Sequence, residues 1–311
     1  MKYSDSFGKR SSKILLGTAY FGDTISEAES FQIMDTYYEM GGRHIDTARL
    51  YADGEAEKVV GKWLADRKPD DIFVSTKGGY YDMDGGESPR INEADIRSDL
   101  EKSLTALGLD CIEFYWLHRD DENTPVSEII EFMNRLVKEG KIKRFGASNW
   151  RSERIRQANQ YAKENNLFGF AASQIRFNPA YCLGERGGLV GMDEREFEFY
   201  KNNPMPVVAY SSQAKGFFSK MAESGEGALS EKAKKRYLCE ENLRRLEIIK
   251  QLSAELNCSV ASVVCGILCS ISEVEVFPII GGRNASQIAD SMNGADILIA
   301  PDIPLEFINR I

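Results

Sequence analysis

Short apolar runs alternate with longer stretches of helical period along the whole chain. Eight runs read as strands: residues 14–19, 43–47, 72–77, 111–117, 144–148, 170–176, 207–211 and 274–280. Between them, apolar residues recur at the three-and-four spacing that puts them on one helix face. Val59, Val60, Trp63 and Leu64 form one such stripe, and Ile96, Leu100, Leu104 and Leu107 another. Ile129, Ile130, Met133, Leu136 and Val137 form the cleanest. Ser26 with Glu29 reads as a capping box at the start of the first helix. Gly41, Gly108 and Gly140 stand where helices should stop.

Eight strands in strict alternation with helices can close into a (β/α)8 barrel or spread into a doubly wound sheet. The polar residues decide between them. An open sheet would place its site at one switch point, usually with a Gly-rich first turn, and the chain has no G-x-G-x-x-G. Polar residues close at least six of the eight runs, as they would if every strand end met at one mouth. The pattern predicts an α/β fold, a TIM barrel spanning residues 1–311 as a single domain. Residues 179–206 and 213–230 are rich in Gly and small residues and follow the sixth and seventh strands, so they are expected as long mouth loops. Residues 1–13 are expected to form a small hairpin over the barrel floor.

Composition narrows the function. The chain has 311 residues, 42% hydrophobic and 28% charged, enough apolar material for a barrel of this length. A net charge of -9 with no long Lys/Arg block argues against a nucleic-acid partner. The densest basic stretch, Lys232 to Arg236, sits among glutamates and reads as a solvated helix face. The polar first twelve residues contain no signal-peptide core, and no apolar run is long enough to span a membrane. Six cysteines without a C-x-x-C pair read as reduced thiols of a cytoplasmic protein, with Cys265 and Cys269 as core packing. Two histidines cannot supply the clustered ligands of a zinc hydrolase, and no metal is expected.

Four residues at neighbouring strand ends offer coherent chemistry. His118 follows the apolar run 112–117, Asp46 ends His44-Ile45-Asp46, Tyr51 lies five residues later, and Lys77 ends the run 72–77. A phenol can give a proton to a developing alkoxide, but with a pKa of about 10 it needs help near neutrality. A nearby ammonium would stabilise its phenolate, a carboxylate would hold that ammonium, and a histidine could aim the carbonyl oxygen. Each residue alone has an ordinary structural explanation; the set in register does not.

These residues carry a resemblance. Gly42-Arg43-His44-Ile45-Asp46-Thr47-Ala48-Arg49-Leu50-Tyr51, followed by Glu55 and Gly61, resembles the signature of the aldo-keto reductase family. The likeness continues through Thr76-Lys77, Leu117-His118-Arg119, Gly146 to Asn149, Tyr210 to Ser212 and Ile280 to Arg283, from about Leu16 to Asp290. It implies NADPH-dependent carbonyl reduction, with Tyr51 as acid, Lys77 and Asp46 tuning it, and His118 orienting the substrate. It also implies a cofactor site. Ser148, Asn149 and Gln174 would hold the nicotinamide carboxamide, Tyr210 would stack on the ring, and Ser211 and Ser212 would begin the pyrophosphate loop. Gly281, Arg283 and Gln287 would meet the adenosine end, where Arg283 favours NADP over NAD. Ser286 and Ser291 depart from the family pattern there and weaken the expected adenine contacts. Tyr20, Phe21, Tyr80, Tyr81 and Trp150 fall on mouth loops and are expected as aromatic walls for a small-molecule carbonyl, a small polar aldehyde, ketone or sugar. Some family members instead serve as accessory subunits of potassium channels, binding cofactor with little turnover. The intact tetrad allows that alternative. The lack of an N-terminal extension that could act on a channel favours the enzyme.

Overall fold

The computed structural model describes residues 2–80, 90–183, 188–300 and 302–308. Two short strands, β1 (Tyr3–Ser4) and β2 (Ser11–Ser12), pair antiparallel as the expected hairpin. Its turn drives Phe7 into the floor of the barrel. There the ring meets His44, Phe73, Phe114 and Phe277 edge-on, at centroid distances of 4.9–5.8 Å. Such T-shaped contacts suit the ring quadrupoles, so Phe7 acts as a plug.

Eight parallel strands follow: β3 (Leu15–Gly17), β4 (His44–Asp46), β5 (Phe73–Gly78), β6 (Ile112–Leu117), β7 (Ile142–Ser148), β8 (Ser173–Arg176), β9 (Val207–Tyr210) and β10 (Val276–Ile280). Each pairs with the next, and β10 returns to β3 to close the barrel. This is the (β/α)8 architecture that the alternation predicts.

Strand alternation sorts the side chains. On β5 and β6, Val74, Tyr115 and Leu117 face the surrounding helices and join the large apolar layer there. Phe73, Phe114 and Trp116 face inward, with Leu15, Ala172, Val208 and Phe277. The same inward rows run upward into polar residues: Phe73 to Ser75 to Lys77, and His44 to Asp46. The lower barrel is therefore aromatic and the upper barrel polar, because one row of alternate residues changes character along its length.

The helices carry the expected caps. Ser26 and Glu29 form a full capping box on the helix Glu27–Glu39. Gly41, Gly108 and Gly140 all adopt positive φ at helix ends. The basic stretch 232–236 lies on the helix Glu231–Tyr237, with Lys232 and Lys235 exposed. Cys265 and Cys269 are buried in the helix Val260–Cys269, and no disulfide forms among the described residues. No single described helix is long and apolar enough to cross a membrane.

The stretches expected as mouth loops are more structured than that. Residues 213–230 contain the helix Phe217–Ser224, whose Phe217 and Phe218 are buried against Leu246 and Tyr237. Residues 179–206 contain the helix Glu194–Asn202, anchored by Phe197 and Tyr200. Their Gly and Ser content hides apolar anchors that suffice to fold a short helix.

Candidate active site

Asp46 and Lys77 are the last inward residues of neighbouring strands, and both are buried. The Lys77 ammonium donates to Asp46 Oδ2 and to the Thr47 carbonyl, both at 2.6 Å, and to the Tyr51 hydroxyl at 3.2 Å. Tyr51 is brought over the barrel by a tight turn in which Ala52, Asp53 and Gly54 all take positive φ, at 48°, 55° and 90°. Three left-handed residues in succession, two of them with side chains, store strain next to the residue they position. Gly54→Ala should therefore destabilise the protein by about 1–2 kcal/mol, the cost of a Cβ in left-handed backbone. The new methyl would also strike the Arg49 guanidinium. Thermal unfolding measures the first effect. A fall in kcat larger than the stability loss explains would report Tyr51 displaced.

His118 closes the strand end beside them, with the Tyr51 ring 6.0 Å away and edge-on. Tyr80 leans on its other side, at 4.9 Å. The Arg119 guanidinium lies over Tyr80, donates to its hydroxyl at 3.0 Å and reaches the Gly188 carbonyl at 3.2 Å. Asp120 turns away to accept the Arg154 Nε on both oxygens at 2.9 Å.

The electrostatics separate the roles. Burial works against the Lys77 charge, but Asp46 and Tyr51 outweigh it and hold its pKa above the ordinary lysine value. Burial also pushes the Tyr51 phenol up, and Lys77 only partly counters this. The ammonium does favour the phenolate, as expected, but desolvation is the larger effect and the net shift is upward. Burial, then the Lys77 and Arg119 charges, keep the His118 pKa well below the usual histidine value, so its ring is neutral. His118 Nδ1 is buried with no hydrogen-bond partner among the described residues. A bare lone pair is cheaper to bury than a bare N–H, which assigns the proton to Nε2.

The remaining strand ends gather groups that can pair with an amide. Asn149 takes a left-handed φ of 61°, which turns its side chain across the mouth to accept from Tyr210 at 2.7 Å and donate to the His118 carbonyl at 3.3 Å. Gln174 donates to Asp46 Oδ1 at 3.1 Å, so its own carbonyl oxygen is the end left for a ligand N–H. A carboxamide needs one acceptor and donors, and Gln174 with Ser148 and Asn149 supplies that chemistry. Ser211 is exposed with φ 53°. Near it, burial and then Lys232, Arg236, Arg176 and Lys220 lower the Lys215 pKa, a concentration of positive charge unusual on a chain of net charge -9. That field suits a pyrophosphate. At the β10 end, Gly281 faces open space and Arg283 is exposed beside the helix Ala285–Met292.

Several sequence expectations need correction. Phe21 is 2% exposed and Trp150 fully buried; Trp150 donates its indole N–H to the Arg119 carbonyl and packs edge-on against Phe170. Both are core residues beneath the loops and do not face an open pocket. The Ser212 hydroxyl is turned inward onto the Ile279 carbonyl at 2.5 Å. The Gln287 side-chain oxygen accepts from the Arg283 backbone N–H at 2.8 Å, which makes this residue a turn-former. Ser291, where the family pattern has Asn, donates to the Gln287 backbone carbonyl and accepts from Gln213. Tyr20 is 56% exposed, and Tyr81 lies outside the described residues. Two polar residues close to the chemistry, His44 and Ser75, escaped the sequence reading. Their signal was the alternation itself, since each lies two residues before a tetrad member on the same inward row.

Comparison with known proteins gives the same direction. The model of the aldo/keto reductase family matches residues 13–302. Norsolorinic acid reductase A of Aspergillus parasiticus is 29% identical, across 96% of this chain and 77% of its own length. An uncharacterized oxidoreductase of Bacillus subtilis is 29% identical across 99% of this chain and 94% of its own. A probable voltage-gated potassium channel subunit beta of Oryza sativa subsp. japonica is 27% identical across 95% of this chain and 92% of its own. With a closed eight-stranded barrel, a buried carboxylate–ammonium pair under a tyrosine, and a family match over nearly its whole length, the chain belongs to the aldo/keto reductase family and is a carbonyl-reducing oxidoreductase.

Proposed function

We propose that the chain is an NADP-dependent reductase of an aldehyde or ketone, a sugar or other small polar carbonyl included, with Tyr51 as proton donor. One observation carries the reading: the Tyr51 hydroxyl lies 3.2 Å from a Lys77 ammonium that Asp46 holds at 2.6 Å, beside a neutral histidine. When bound, the reduced nicotinamide supplies the hydride. Ser148, Asn149 and Gln174 would hold its carboxamide, and Tyr210 would present a face for stacking.

The protein's part is proton delivery and orientation. Burial keeps the Tyr51 phenol protonated, so it starts with a proton to give. As the hydroxyl releases it, the adjacent Lys77 ammonium stabilises the phenolate, and Asp46 keeps that ammonium charged. His118 donates from Nε2 to the carbonyl oxygen and aims it at Tyr51. Tyr80, backed by Arg119, and the exposed Tyr20 offer aromatic walls with polar edges. Walls of this kind take a sugar ring or a small polar carbonyl.

Arg283 bears on the choice of NADP. Beside a helix N-terminus, its guanidinium suits the 2′-phosphate. Arg283→Ala should weaken NADPH binding by about tenfold or more, the loss of a charge-assisted hydrogen bond, and leave NADH nearly untouched. Fluorescence titration with both cofactors measures the ratio, and equal losses would remove Arg283 from the 2′-phosphate site. The rice channel subunit among the relatives motivates a second reading, a cofactor-binding subunit with little turnover. NADPH consumption across aldehydes, ketones, keto acids and aldoses tests both. Turnover supports the reductase; tight binding with no turnover on any of them supports the subunit.

A further inference from the structure

A continuous line of buried hydrogen bonds runs from the barrel floor to the tetrad. Ser11 on the floor hairpin meets His44 Nδ1 at 2.9 Å. His44 Nε2 meets Ser75 Oγ at 2.9 Å, and Ser75 Oγ donates to Asp46 Oδ1 at 2.9 Å. Asp46 Oδ2 then holds Lys77, and Lys77 reaches Tyr51. Ser11, His44, Ser75 and Lys77 have no solvent exposure and Asp46 has 2%. The His44 ring is clamped, stacked on Phe73 at 3.9 Å and met edge-on by Phe7.

Hydrogen counting from the carboxylate fixes the direction of the links back to His44. A carboxylate only accepts, so Ser75 must give its single hydrogen to Asp46. Its oxygen can then only accept, and His44 must donate from Nε2. Burial, then the Lys77 charge, hold the His44 ring neutral, so Nδ1 is a lone pair that faces the single Ser11 hydroxyl hydrogen, which the Ser12 carbonyl at 3.0 Å shares. From His44 on, each donor points toward the carboxylate, an arrangement in which successive bonds polarise one another. Asp46 Oδ1 thus carries two donors, Ser75 and Gln174.

We propose that His44 and Ser75 are positioning residues of the active site, a floor-to-mouth chain that fixes the Asp46 carboxylate and thereby sets how readily Tyr51 gives its proton. The proposal rests on the reading of Tyr51 as acid. Its sign follows from electrostatics. Without the Ser75 donor, the negative charge on Asp46 is less dispersed, the phenolate of Tyr51 is less favoured, and Tyr51 becomes a weaker acid.

The test has two readouts on the full chain. The first needs no activity. With only two histidines in the chain, nitrogen-15-labelled histidine gives two ring systems, and His44→Gln assigns them. His44 should be neutral with its proton on Nε2; a proton on Nδ1 overturns the chain. The second is the pH profile of carbonyl reduction. Ser75→Ala should lower kcat by about tenfold, the loss of one hydrogen bond to a charged group. Its alkaline limb should move to higher pH, with KM unchanged. Ser75→Cys keeps the volume but is a weak donor, and should shift the limb the same way if the Ala variant folds poorly. His44→Leu leaves Ser75 its hydrogen for Asp46 but unpolarised, so it should shift the limb the same way by less, and His44→Gln, which retains a donor near Nε2, should restore part of that loss. Profiles of Ser75→Ala and Ser75→Cys that overlay the wild type would overturn the proposal. Tyr51→Phe in the same series separates the two claims: activity retained there sinks the acid assignment, while the histidine spectrum still decides the chain.

Discussion

Tyr51→Phe should lose carbonyl reduction by about a hundredfold to ten-thousandfold, the usual worth of a positioned general acid, while binding cofactor as the wild type does. Only the hydroxyl is removed. The ring keeps its edge-on place near His118 and its place over the Lys77 ammonium, 4.8 Å from the ring centroid. The groups proposed to hold the cofactor, Asn149, Gln174 and Tyr210, are held by other partners, Tyr210 by Asn149 and Gln174 by Asp46. Steady-state kinetics with parallel NADPH titration checks both halves. A fall in kcat with unchanged binding supports the acid role. Retained reduction would require another proton donor, and a parallel loss of binding would mean that the hydroxyl serves the cofactor.

The second large effect concerns stability. Lys77→Met should destabilise the protein by about 3–5 kcal/mol, since it leaves Asp46 buried and unpaired. Asp46 would keep donors from Ser75 and Gln174 but lose the Lys77 charge, and at 2% exposure it has almost no access to water in its place. The double variant Asp46→Asn with Lys77→Met removes both charges and should recover most of that loss. It should not recover activity, because the developing phenolate would still lack its ammonium. Urea unfolding midpoints with kcat for the same three proteins separate the two effects. A double variant as unstable as the single one would mean that the pair matters for packing and not for charge balance.

The barrel was legible because its two signals agree. Apolar runs spaced by helical stripes gave eight strands, and polar closures at their ends placed them around one mouth. The 170–176 run shortens to Ser173–Arg176 because Phe170 is drawn out to pack on Phe145 and Trp150. That is a tertiary preference no local pattern carries. Asp46, Tyr51, Lys77 and His118 were legible as a set because strand ends of a closed barrel share one space. Phe21 and Trp150 misled for the opposite reason: a position after a strand gives the loop, but not which way the side chain turns. The positive φ of Ala52, Asp53, Asn149 and Ser211 was also hidden, since residues with side chains seldom adopt it and nothing in their identity demands it. His44 was legible as a strand residue only. Its chemistry appears once Asp46 opposite Ser75 in the β4–β5 register shows what its ring must meet.

Hydride transfer itself tests the central claim most directly. The wild-type protein is incubated with NADPH carrying deuterium at the nicotinamide C4 and with an aldehyde from the responsive panel, and the alcohol is analysed by mass spectrometry. The product should carry one deuterium on its carbinol carbon, and Tyr51→Phe should lose that product. Bound NADPH that yields no labelled alcohol from any aldehyde or ketone would contradict it.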